Sequence, residues 1–201
     1  MPVKETLLLT PFELEFDDLI VARVRAHNSR LWSDWSDGNT VGERIQTEAR
    51  FMSAPQRDSA TNTQKIVVNW DAIGNPEDGN SAVISYSLEF DAGSNGETWE
   101  TLIGYLSNYM GLTMQVTQKI ERGVTFRFRL RAKNIWGWGV YSEETAILAA
   151  RVPLTVTSLQ ASVVANNGDY RIDWTLADDQ GSELLATEID IWSVTLSDWV
   201  L

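Results

Sequence analysis

"VTFRFRLRAKNIWGWGVYS", residues 124–142, alternates apolar and basic side chains before it ends in a turn rich in tryptophan and glycine. Successive side chains of an extended chain face opposite sides, so the apolar residues of this stretch share one face and the arginines the other. The two sets are Phe126, Phe128 and Leu130, and Arg127, Arg129 and Arg131. The stretch is therefore predicted to be a strand with one face in a core.

Three further stretches have the composition of strands, with many β-branched and aromatic residues. They are "LIVARVRA" (19–26), "KIVVNW" (65–70) and "VISYSLEF" (83–90). Clusters of Gly, Asn and Asp separate them, as turns separate strands. We find no long segment with a convincing helical period. Short strands with frequent turns predict antiparallel β-sandwiches.

The chain contains an internal repeat. "RVRAHNSRLWSDWS" (23–36) aligns without a gap on "RLRAKNIWGWGVYS" (129–142) at an offset of 106. "KIVVNWDA" (65–72) matches the region of "YRIDWTLA" (170–177) at an offset of 104, which sets Trp70 against Trp174. Both matches indicate a period of about 105 residues, the length of a small β-domain. The sequence therefore predicts an array of similar domains.

The order of landmarks within one period resembles a fibronectin type III domain over residues 48–150. A strand with central Trp70 precedes a loop with Pro, acidic residues and Gly, then strands with Tyr86 and Trp99, and last the "RxRAxN" strand. The resemblance implies an all-β fold of tandem immunoglobulin-like antiparallel β-sandwiches. The family usually has tyrosine where this chain has Phe126, so the hydroxyl-to-backbone bond of that corner is not expected here.

The resemblance also implies three parts. Residues 1–47 match the E, F and G strands of a domain, residues 48–150 match a complete domain, and residues 151–201 match the A, B, C and C′ strands. Two interpretations stay open. The chain is a window of a longer array of repeats, or the C-terminal half of one chain pairs with the N-terminal half of the next. Open strand edges invite such pairing, and a non-closing head-to-tail contact generates filaments.

"WSDWS" (32–36) resembles the W-S-x-W-S motif of class I cytokine receptors, which implies indoles stacked between arginines of the preceding strand. The predicted stack is Arg23, Arg25, Trp32 and Trp35, with a second version made of Arg127, Arg129, Arg131, Trp136, Trp138 and Tyr141. Those receptors carry cysteine pairs, and this chain has no cysteine. We therefore interpret the motif as a structural device of the sheet.

Composition disfavours several function classes. The net charge is −12, so binding to nucleic acid or to an anionic membrane surface is not expected, because both need clustered Lys and Arg. Without cysteine, disulfides and thiolate metal sites are excluded. No apolar run is long enough for a membrane span.

The sequence predicts no catalytic residue, cofactor or metal site. His27 is the single histidine, and no nucleophile or acid is placed beside it by spacing. Carboxylates cluster in "DAGSNGETW" (91–99) and "ADDQGSE" (177–183) without the alternation of a calcium loop. Turn formation explains Asp, Asn and Gly in both stretches.

Exposed aromatic residues form a second group of candidate sites, this time for protein interfaces. The candidates are Trp99, Tyr105, Tyr109, Trp192 and Trp199. Packing of strand edges onto the sandwich is the alternative for the first three. A Trp-x-x-Trp spacing also matches the acceptor pattern for tryptophan mannosylation in secretory pathways, which makes Trp32 a candidate glycosylation site in an exported protein.

We expect a non-catalytic structural or adhesive repeat protein, part of an extracellular fibre or cell-surface array. Its expected partners are copies of itself, head to tail, or neighbouring repeats. Two alternatives stay open: an intracellular cytoskeletal or ciliary scaffold, which the lack of cysteine allows, and a spacer module of a larger secreted enzyme or receptor.

Overall fold

The computed structural model describes residues 6–164 and 168–200, and strands dominate it. Every pairing given for these strands is antiparallel. The strands are β1 (Gln56–Arg57), β2 (Ile66–Asn69), β3 (Ser85–Phe90), β4 (Glu100–Ile103), β5 (Thr113–Val116), β6 (Thr125–Asn134), β7 (Gly137–Trp138), β8 (Thr145–Leu148), β9 (Thr157–Val163), β10 (Tyr170–Thr175), β11 (Ile191–Ser193) and β12 (Asp198–Val200). Within the described ranges no helix is long and apolar enough to cross a bilayer.

Strands β1 to β8 form two antiparallel sheets, which we call the central sandwich. One sheet has the order β1-β2-β5, and the other has the order β4-β3-β6-β7 with β8 also paired to β6. The ring of Trp70, directly after β2, lies 6.4 Å from the ring of Tyr86 on β3, so aromatic side chains of the two sheets meet in the core. The predicted antiparallel β-sandwich is confirmed.

Strand β6 has the predicted alternation along its whole length. Its buried and partly exposed residues alternate from Phe126 to Asn134, and Phe128 and Leu130 are fully buried. Phe126 is 1% exposed, so its ring lies in the core near the start of β6. The partly exposed residues all carry positive charge, which leaves a basic row on the outer face of the sheet.

Contacts divide the chain into two compact units. The first comprises the described part of Met1–Arg57 together with Val68–Met114 and Phe126–Ala146. The second comprises Asp58–Val67, Gln115–Thr125 and the described part of Ile147–Leu201. The boundaries predicted from the repeat, after residues 47 and 150, stay predictions.

Within the first unit, residues 17–45 form a hairpin whose backbone ladder is interrupted by polar side chains. Isolated bridges join Leu19 to Arg44 and His27 to Trp32. Between them, the N–H groups of the incoming chain bond to side-chain oxygens of the returning chain: Ala22 N to Asn39 Oδ1, Val24 N to Ser36 Oγ and Ala26 N to Ser33 Oγ. The sequence predicts the F and G strands of a domain here. The structure has two extended segments instead, joined by isolated bridges and by bonds from backbone N–H groups to side chains.

A buried amide ties the end of this hairpin to the central sandwich. Asn134, at the end of β6, is 1% exposed, and its Nδ2 donates to Thr47 O and to Asp78 O, both at 2.8 Å. Close backbone packing continues along the connection. A Cβ added at Gly139 would lie 2.1 Å from Ala49 O. Glycine is therefore required there by space.

Within the second unit, two antiparallel pairs follow the sandwich. In β9 and β10, Gln160 pairs with Asp173 and Ala161 with Ile172. The pairing of Gln56 with Asn69 in β1 and β2 has the same register, shifted by the length of the repeat. β11 and β12 form a separate hairpin.

The start of this C-terminal segment is held by charge and backbone contacts. The Arg122 guanidinium pairs with Asp178 and Asp179, and this contact holds the pKa of the Asp178 carboxyl below its usual range; for Asp179 the backbone N–H of Gly181 is the larger cause. Arg151 N donates to Gln180 O at 3.0 Å. The residues after β8 are thus fastened to the loop that follows β10.

Replacing Gly139 by alanine should lower the free energy of unfolding by about 1–3 kcal/mol, because the new methyl group overlaps a backbone oxygen. The matched control is Gly74→Ala, since nothing lies within 4 Å of the Cβ added there. Urea unfolding followed by tryptophan fluorescence measures both. Equal stability of the two variants would contradict the close approach.

Candidate functional site

The basic row of β6 carries a stack of alternating cations and aromatic rings, which we call the central ladder. The Arg129 guanidinium carbon lies 4.0 Å from the Trp99 ring centroid on one side and 4.2 Å from the Tyr141 ring on the other. Trp99 comes from the turn before β4 and Tyr141 from the segment between β7 and β8. Three parts of the sheet therefore meet at a single guanidinium.

The central ladder continues along β6. The Arg131 guanidinium lies between Tyr141 at 4.3 Å and Trp138 at 5.0 Å, and the ammonium of Lys133 lies 5.5 Å from the Trp138 ring. Tyr105 stacks on Trp138 with ring centroids 6.0 Å apart. Each cation–π contact of this kind is worth about 0.5–1 kcal/mol when exposed and more when water is excluded.

A carboxylate anchors one end of the central ladder. Glu89 on β3 is 8% exposed, and its Oε2 accepts from Arg129 Nε at 3.0 Å and Nη2 at 2.8 Å. Its Oε1 accepts from the Tyr141 hydroxyl. Burial, and second the bond to Glu89, raise the pKa of Tyr141 to about 12. The phenol thus stays a hydrogen-bond donor well into the alkaline range.

The N-terminal hairpin carries a second stack, the first ladder. The Arg23 guanidinium lies 4.6 Å from Trp35, and that of Arg25 lies between Trp35 at 4.6 Å and Trp32 at 4.5 Å. The His27 ring lies 4.7 Å from Trp32 at the end. Arginine and tryptophan side chains thus alternate in the first ladder, and His27 lies at its end.

The two ladders match residue by residue along the repeat. The counterparts are Arg23 and Arg129, Arg25 and Arg131, His27 and Lys133, Trp32 and Trp138, and Trp35 and Tyr141. Each cation or ring of one ladder takes the same place in the stacking order of the other. The aligned sequences therefore build the same sequence of contacts.

The hydrogen bonds beneath the ladders match as well. Ser36 Oγ accepts from Val24 N at 3.0 Å, and Ser142 Oγ accepts from Leu130 N at 3.1 Å. Each of these serines also donates its backbone N–H to the carbonyl of the same partner. The serine of the motif thus bonds to both the backbone N–H and the backbone carbonyl of one strand residue. These two bonds hold the aromatic segment against the strand.

The ladders differ at one end. In the central ladder both faces of Arg129 are covered, one by Trp99 and the other by Tyr141. Within the part of the chain that the structure describes, Arg23 stacks on Trp35 alone. The counterpart of Trp99 would come from a strand that the N-terminal hairpin does not contain.

The remaining predicted residues make other contacts. Arg127 donates to Asn95 Oδ1 at 3.0 Å and pairs with Glu144 at 3.3 Å, and Trp136 Nε1 donates to Gln46 Oε1 at 2.9 Å. Tyr109, a candidate for an interface, lies against the core with its ring 6.3 Å from that of Trp70.

Trp192 and Trp199, the last two candidates for an interface, face each other across the β11–β12 hairpin. Their ring centroids are 5.5 Å apart at an angle of 74°. Both side chains stay open to solvent, with 48% of Trp192 and 61% of Trp199 exposed. The prediction that they form an interface stays a prediction.

The sequence does not assign five members of the ladders to them: His27, Glu89, Trp99, Tyr105 and Lys133. It indicates Trp99 and Tyr105 as interface candidates instead, because they lie in an aromatic stretch at the edge of a loop. The alternation of "SYSLEF" does place Glu89 on the outer face of β3. Its position opposite Arg129 follows only from the register of β3 on β6.

The arrangement presents a packed cationic and aromatic face without a nucleophile–base pair. Asp91, in one of the two carboxylate-rich loops, is fully buried and its oxygens accept from the backbone N–H groups of Gly93, Gly96 and Arg127. Over the described part of the chain, no group of three or more His, Asp or Glu side chains is placed to hold a metal ion. The side chains of this face interact by stacking and by hydrogen bonding.

Neither the protein-family models nor the curated proteins compared with the chain match it. Solved structures do. A human fourth FNIII domain in solution is 17% identical with a TM-score of 0.46, covering 56% of this chain and 88% of that one. The sixth fibronectin type III domain of human fibronectin type III domain containing protein 3 is 20% identical with a TM-score of 0.40, over 55% and 92%. A myokine structure is 17% identical with a TM-score of 0.39, over 50% and 99%.

These likenesses concern the fold. The antiparallel β-sandwich is confirmed by the strand order of the central sandwich itself, with β1, β2 and β5 in one sheet and β4, β3, β6 and the β7–β8 segment in the other. The tandem array stays a prediction.

Tyr141 should ionise near pH 12, since burial and its bond to Glu89 both favour the neutral phenol. A folded-state pKa raised above the ordinary 10.0 adds stability that is complete below pH 10 and is lost as pH rises toward 12. The difference between tyrosinate absorbance titrations of the parent chain and of Tyr141→Phe isolates this group.

Burial is the larger cause of the raised Tyr141 pKa and the bond to Glu89 is the second, so Glu89→Gln, which removes only the carboxylate, should move the same difference titration part of the way toward the ordinary value. Glu100→Gln on the neighbouring strand β4 is the control, with no expected movement. A titration of Tyr141 near pH 10 in the parent chain would contradict the assigned contacts.

Proposed function

We propose that the chain is a non-catalytic structural repeat protein that assembles head to tail. In this proposal the N-terminal hairpin of one copy completes the C-terminal segment, residues 151–200, of the next. One observation carries it: side chains that correspond to the buried core of the central sandwich are exposed in both segments.

The inner face of the N-terminal hairpin is open. Val24 corresponds along the repeat to Leu130, and their side chains are 72% and 0% exposed. Ala22 and Ala26, which correspond to the buried Phe128 and Ala132, are exposed as well. Apolar surface of this kind gains about 25 cal/mol per Å² when covered.

The inner face of the C-terminal segment is open in the same way. Tyr170 on β10 is 82% exposed, whereas its counterpart Ile66 on β2 is fully buried. Trp174, the counterpart of the core residue Trp70, lines an open apolar groove of about 360 Å³ together with Leu159 and Ile189. The groove marks the face that in the central sandwich packs on the opposite sheet.

The two open faces are complementary. The hairpin supplies counterparts of β6 and of the segment after it, and the C-terminal segment supplies counterparts of β1, β2, β3 and β4. Together they contain the elements of one sandwich apart from the counterpart of β5, the E strand predicted within residues 1–47, because the described residues 6–16 form no strand. Extended apolar faces on soluble domains mark association sites, and a head-to-tail contact that does not close into a ring produces a fibre.

We place this assembly outside the cell or at its surface. Trp32 lies within a Trp-x-x-Trp spacing, and 56% of its side chain is exposed in the first ladder. The indole is therefore open to a modifying enzyme of the secretory pathway.

Expression of the chain through a eukaryotic secretory pathway should place one hexose on the peptide that contains Trp32, since the acceptor spacing is present and the ring is accessible. Peptide mass spectrometry measures this. Trp35→Ala removes the spacing and serves as the control. An unmodified Trp32 in secreted material would contradict placement in that pathway.

The 201-residue chain should sediment as a concentration-dependent series of oligomers, and electron microscopy should show filaments. Because each copy carries a net charge of −12, raising the salt concentration should favour association by screening repulsion.

Val24→Asp should abolish association, since it puts a charge on the apolar inner face of the hairpin. Val140→Asp is the matched control: Val140 is 62% exposed in the central sandwich, and its counterpart along the repeat is already an aspartate, Asp34. A monomer at every concentration and salt level would overturn the proposal. So would evidence that the N-terminal hairpin and residues 151–200 are completed within one chain or by neighbouring repeats of a longer chain.

A further inference from the structure

We infer that residues 7–10 of one copy change from a turn to a strand and pair with the open edge of β10 in the next copy. The inference rests on the head-to-tail assembly proposed above, and it names the segment that supplies the missing counterpart of β5. It is drawn from the repeat, which places residues 7–10 at the position of β5.

The backbone corner that precedes the N-terminal hairpin matches the corner that precedes β6. At the offset of 106 found for the hairpin, Glu13 corresponds to Lys119 and Asp17 to Gly123. The φ angles of the first pair are 50° and 61°, and those of the second pair are 71° and 78°. Positive φ is uncommon outside glycine, so two matched positions show that the two corners follow the same path.

A turn bond within the two corners matches at the same offset. Asp18 N donates to Glu15 O at 3.1 Å, and the counterpart bond runs from Val124 N to Glu121 O at 3.2 Å. The correspondence at an offset of 106 therefore extends from the hairpin back to residue 13.

The segment directly before each corner differs between the two parts of the chain. In the central sandwich it is β5, Thr113–Val116, which pairs with β2. The offset of 106 places residues 7–10 at β5, yet these residues form a turn, in which Leu14 N donates to Leu7 O at 2.9 Å. Leu9 in this turn is 66% exposed. Pairing with another strand would exchange the bonds of the turn for bonds of a ladder.

Strand β10 offers the edge that this segment requires. β10 corresponds to β2, and β2 lies between β1 and β5 in its sheet. Within the part of the chain that the structure describes, β10 pairs with β9 alone, the counterpart of β1. The edge of β10 that corresponds to the β5 side of β2 is therefore unpaired, and such an edge accepts an added strand from another chain.

One hydrogen bond of the central sandwich fixes the register of the proposed pairing. Trp70 N donates to Leu112 O, directly before β5, at 3.0 Å. The counterpart of Trp70 is Trp174 at the offset of 104, and that of Leu112 is Thr6 at the offset of 106. The repeated bond thus runs from Trp174 N of one copy to Thr6 O of the other.

The other backbone groups of the segment follow from this bond. Alternate residues of an antiparallel strand direct their N–H and C=O groups to the same neighbour. Leu8 and Thr10 therefore face β10, whereas the N–H of Leu9 points away from it. Pro11, which has no N–H to donate, lies directly beyond the last paired residue.

A single junction can be isolated with two blocked variants of the full chain. The donor chain carries Tyr170→Asp, which blocks its C-terminal segment and leaves its N-terminal part free. The acceptor chain carries Val24→Asp, which blocks its hairpin and leaves β10 free. Each alone should stay monomeric, and an equimolar mixture should form a heterodimer whose Kd is measured by sedimentation velocity.

Proline substitution tests the strand pairing. Leu8→Pro in the donor chain should weaken the heterodimer by about 10- to 100-fold, because it removes an N–H bonded to β10 and leaves a carbonyl of β10 unpaired. Leu9→Pro in the donor chain is the matched control, since its N–H faces away, and should leave the Kd near the parent value. Leu8→Pro in the acceptor chain should also change nothing, because that copy's segment is not used.

Disulfide trapping tests the register. The chain has no cysteine, so a pair of introduced cysteines is unambiguous. Leu9→Cys in the donor and Arg171→Cys in the acceptor lie opposite each other in the inferred register, with Cα atoms about 4.5 Å apart, and should form a disulfide-linked heterodimer. Thr175→Cys in the acceptor is the control, because it lies about 13 Å further along the strand.

The outcomes separate the two proposals. Failure of the blocked chains to associate overturns head-to-tail assembly itself. Association with the same Kd for the parent donor and its Leu8→Pro variant overturns the strand pairing and leaves the assembly standing. So does cross-linking of Leu9→Cys to Arg171→Cys that is no stronger than cross-linking to Thr175→Cys.

Discussion

Stacking of guanidinium planes between aromatic rings is the interaction on which the outer face of this sheet depends. Same-face neighbours on a strand are about 6.6 Å apart, so a row of arginines and lysines on β6 would repel along its length. Rings placed between them separate the charges and cover their planes. Because the rings come from the residues that flank β4, from β7 and from the segment after β7, the ladder also ties these parts to the strand. A face that would be solvated becomes a packed layer.

The sequence alone predicts those parts of the structure that depend on local or periodic patterns of residues. The alternation of residues 124–134 predicts β6 and its two faces. The stacking of Arg23 and Arg25 with Trp32 and Trp35 is also a local contact, and it is what the resemblance of "WSDWS" to the cytokine-receptor motif implies. The gapless repeat then located the second ladder. Periodicity works here because one geometry serves both stretches.

Contacts that depend on the register between strands distant in the sequence cannot be predicted in this way. Glu89 meets Arg129 only because β3 pairs with β6 in one of several registers that its alternation allows, and Trp99 reaches the same guanidinium through a bulged β3–β4 pairing. Arg127 illustrates the converse. It continues the basic row as predicted, yet it lies beside Asn95 and Glu144, which offer oxygen acceptors where the ladder offers rings. Regular spacing along a strand does not determine what the facing loop supplies.

The buried amide of Asn134 gives the connection between hairpin and sandwich a mechanical character. Its Nδ2 donates to Thr47 on the connection and to Asp78 on the loop before β3, and the residue is almost wholly shielded from water. Any swing of the connection away from that loop would break a hydrogen bond in a dry environment, where an unpaired polar group is costly. The joint therefore acts as a clamp that opposes separation of the hairpin from the sandwich. The backbone N–H of Thr47, which donates to Gly79 O at 3.0 Å, adds to the same clamp.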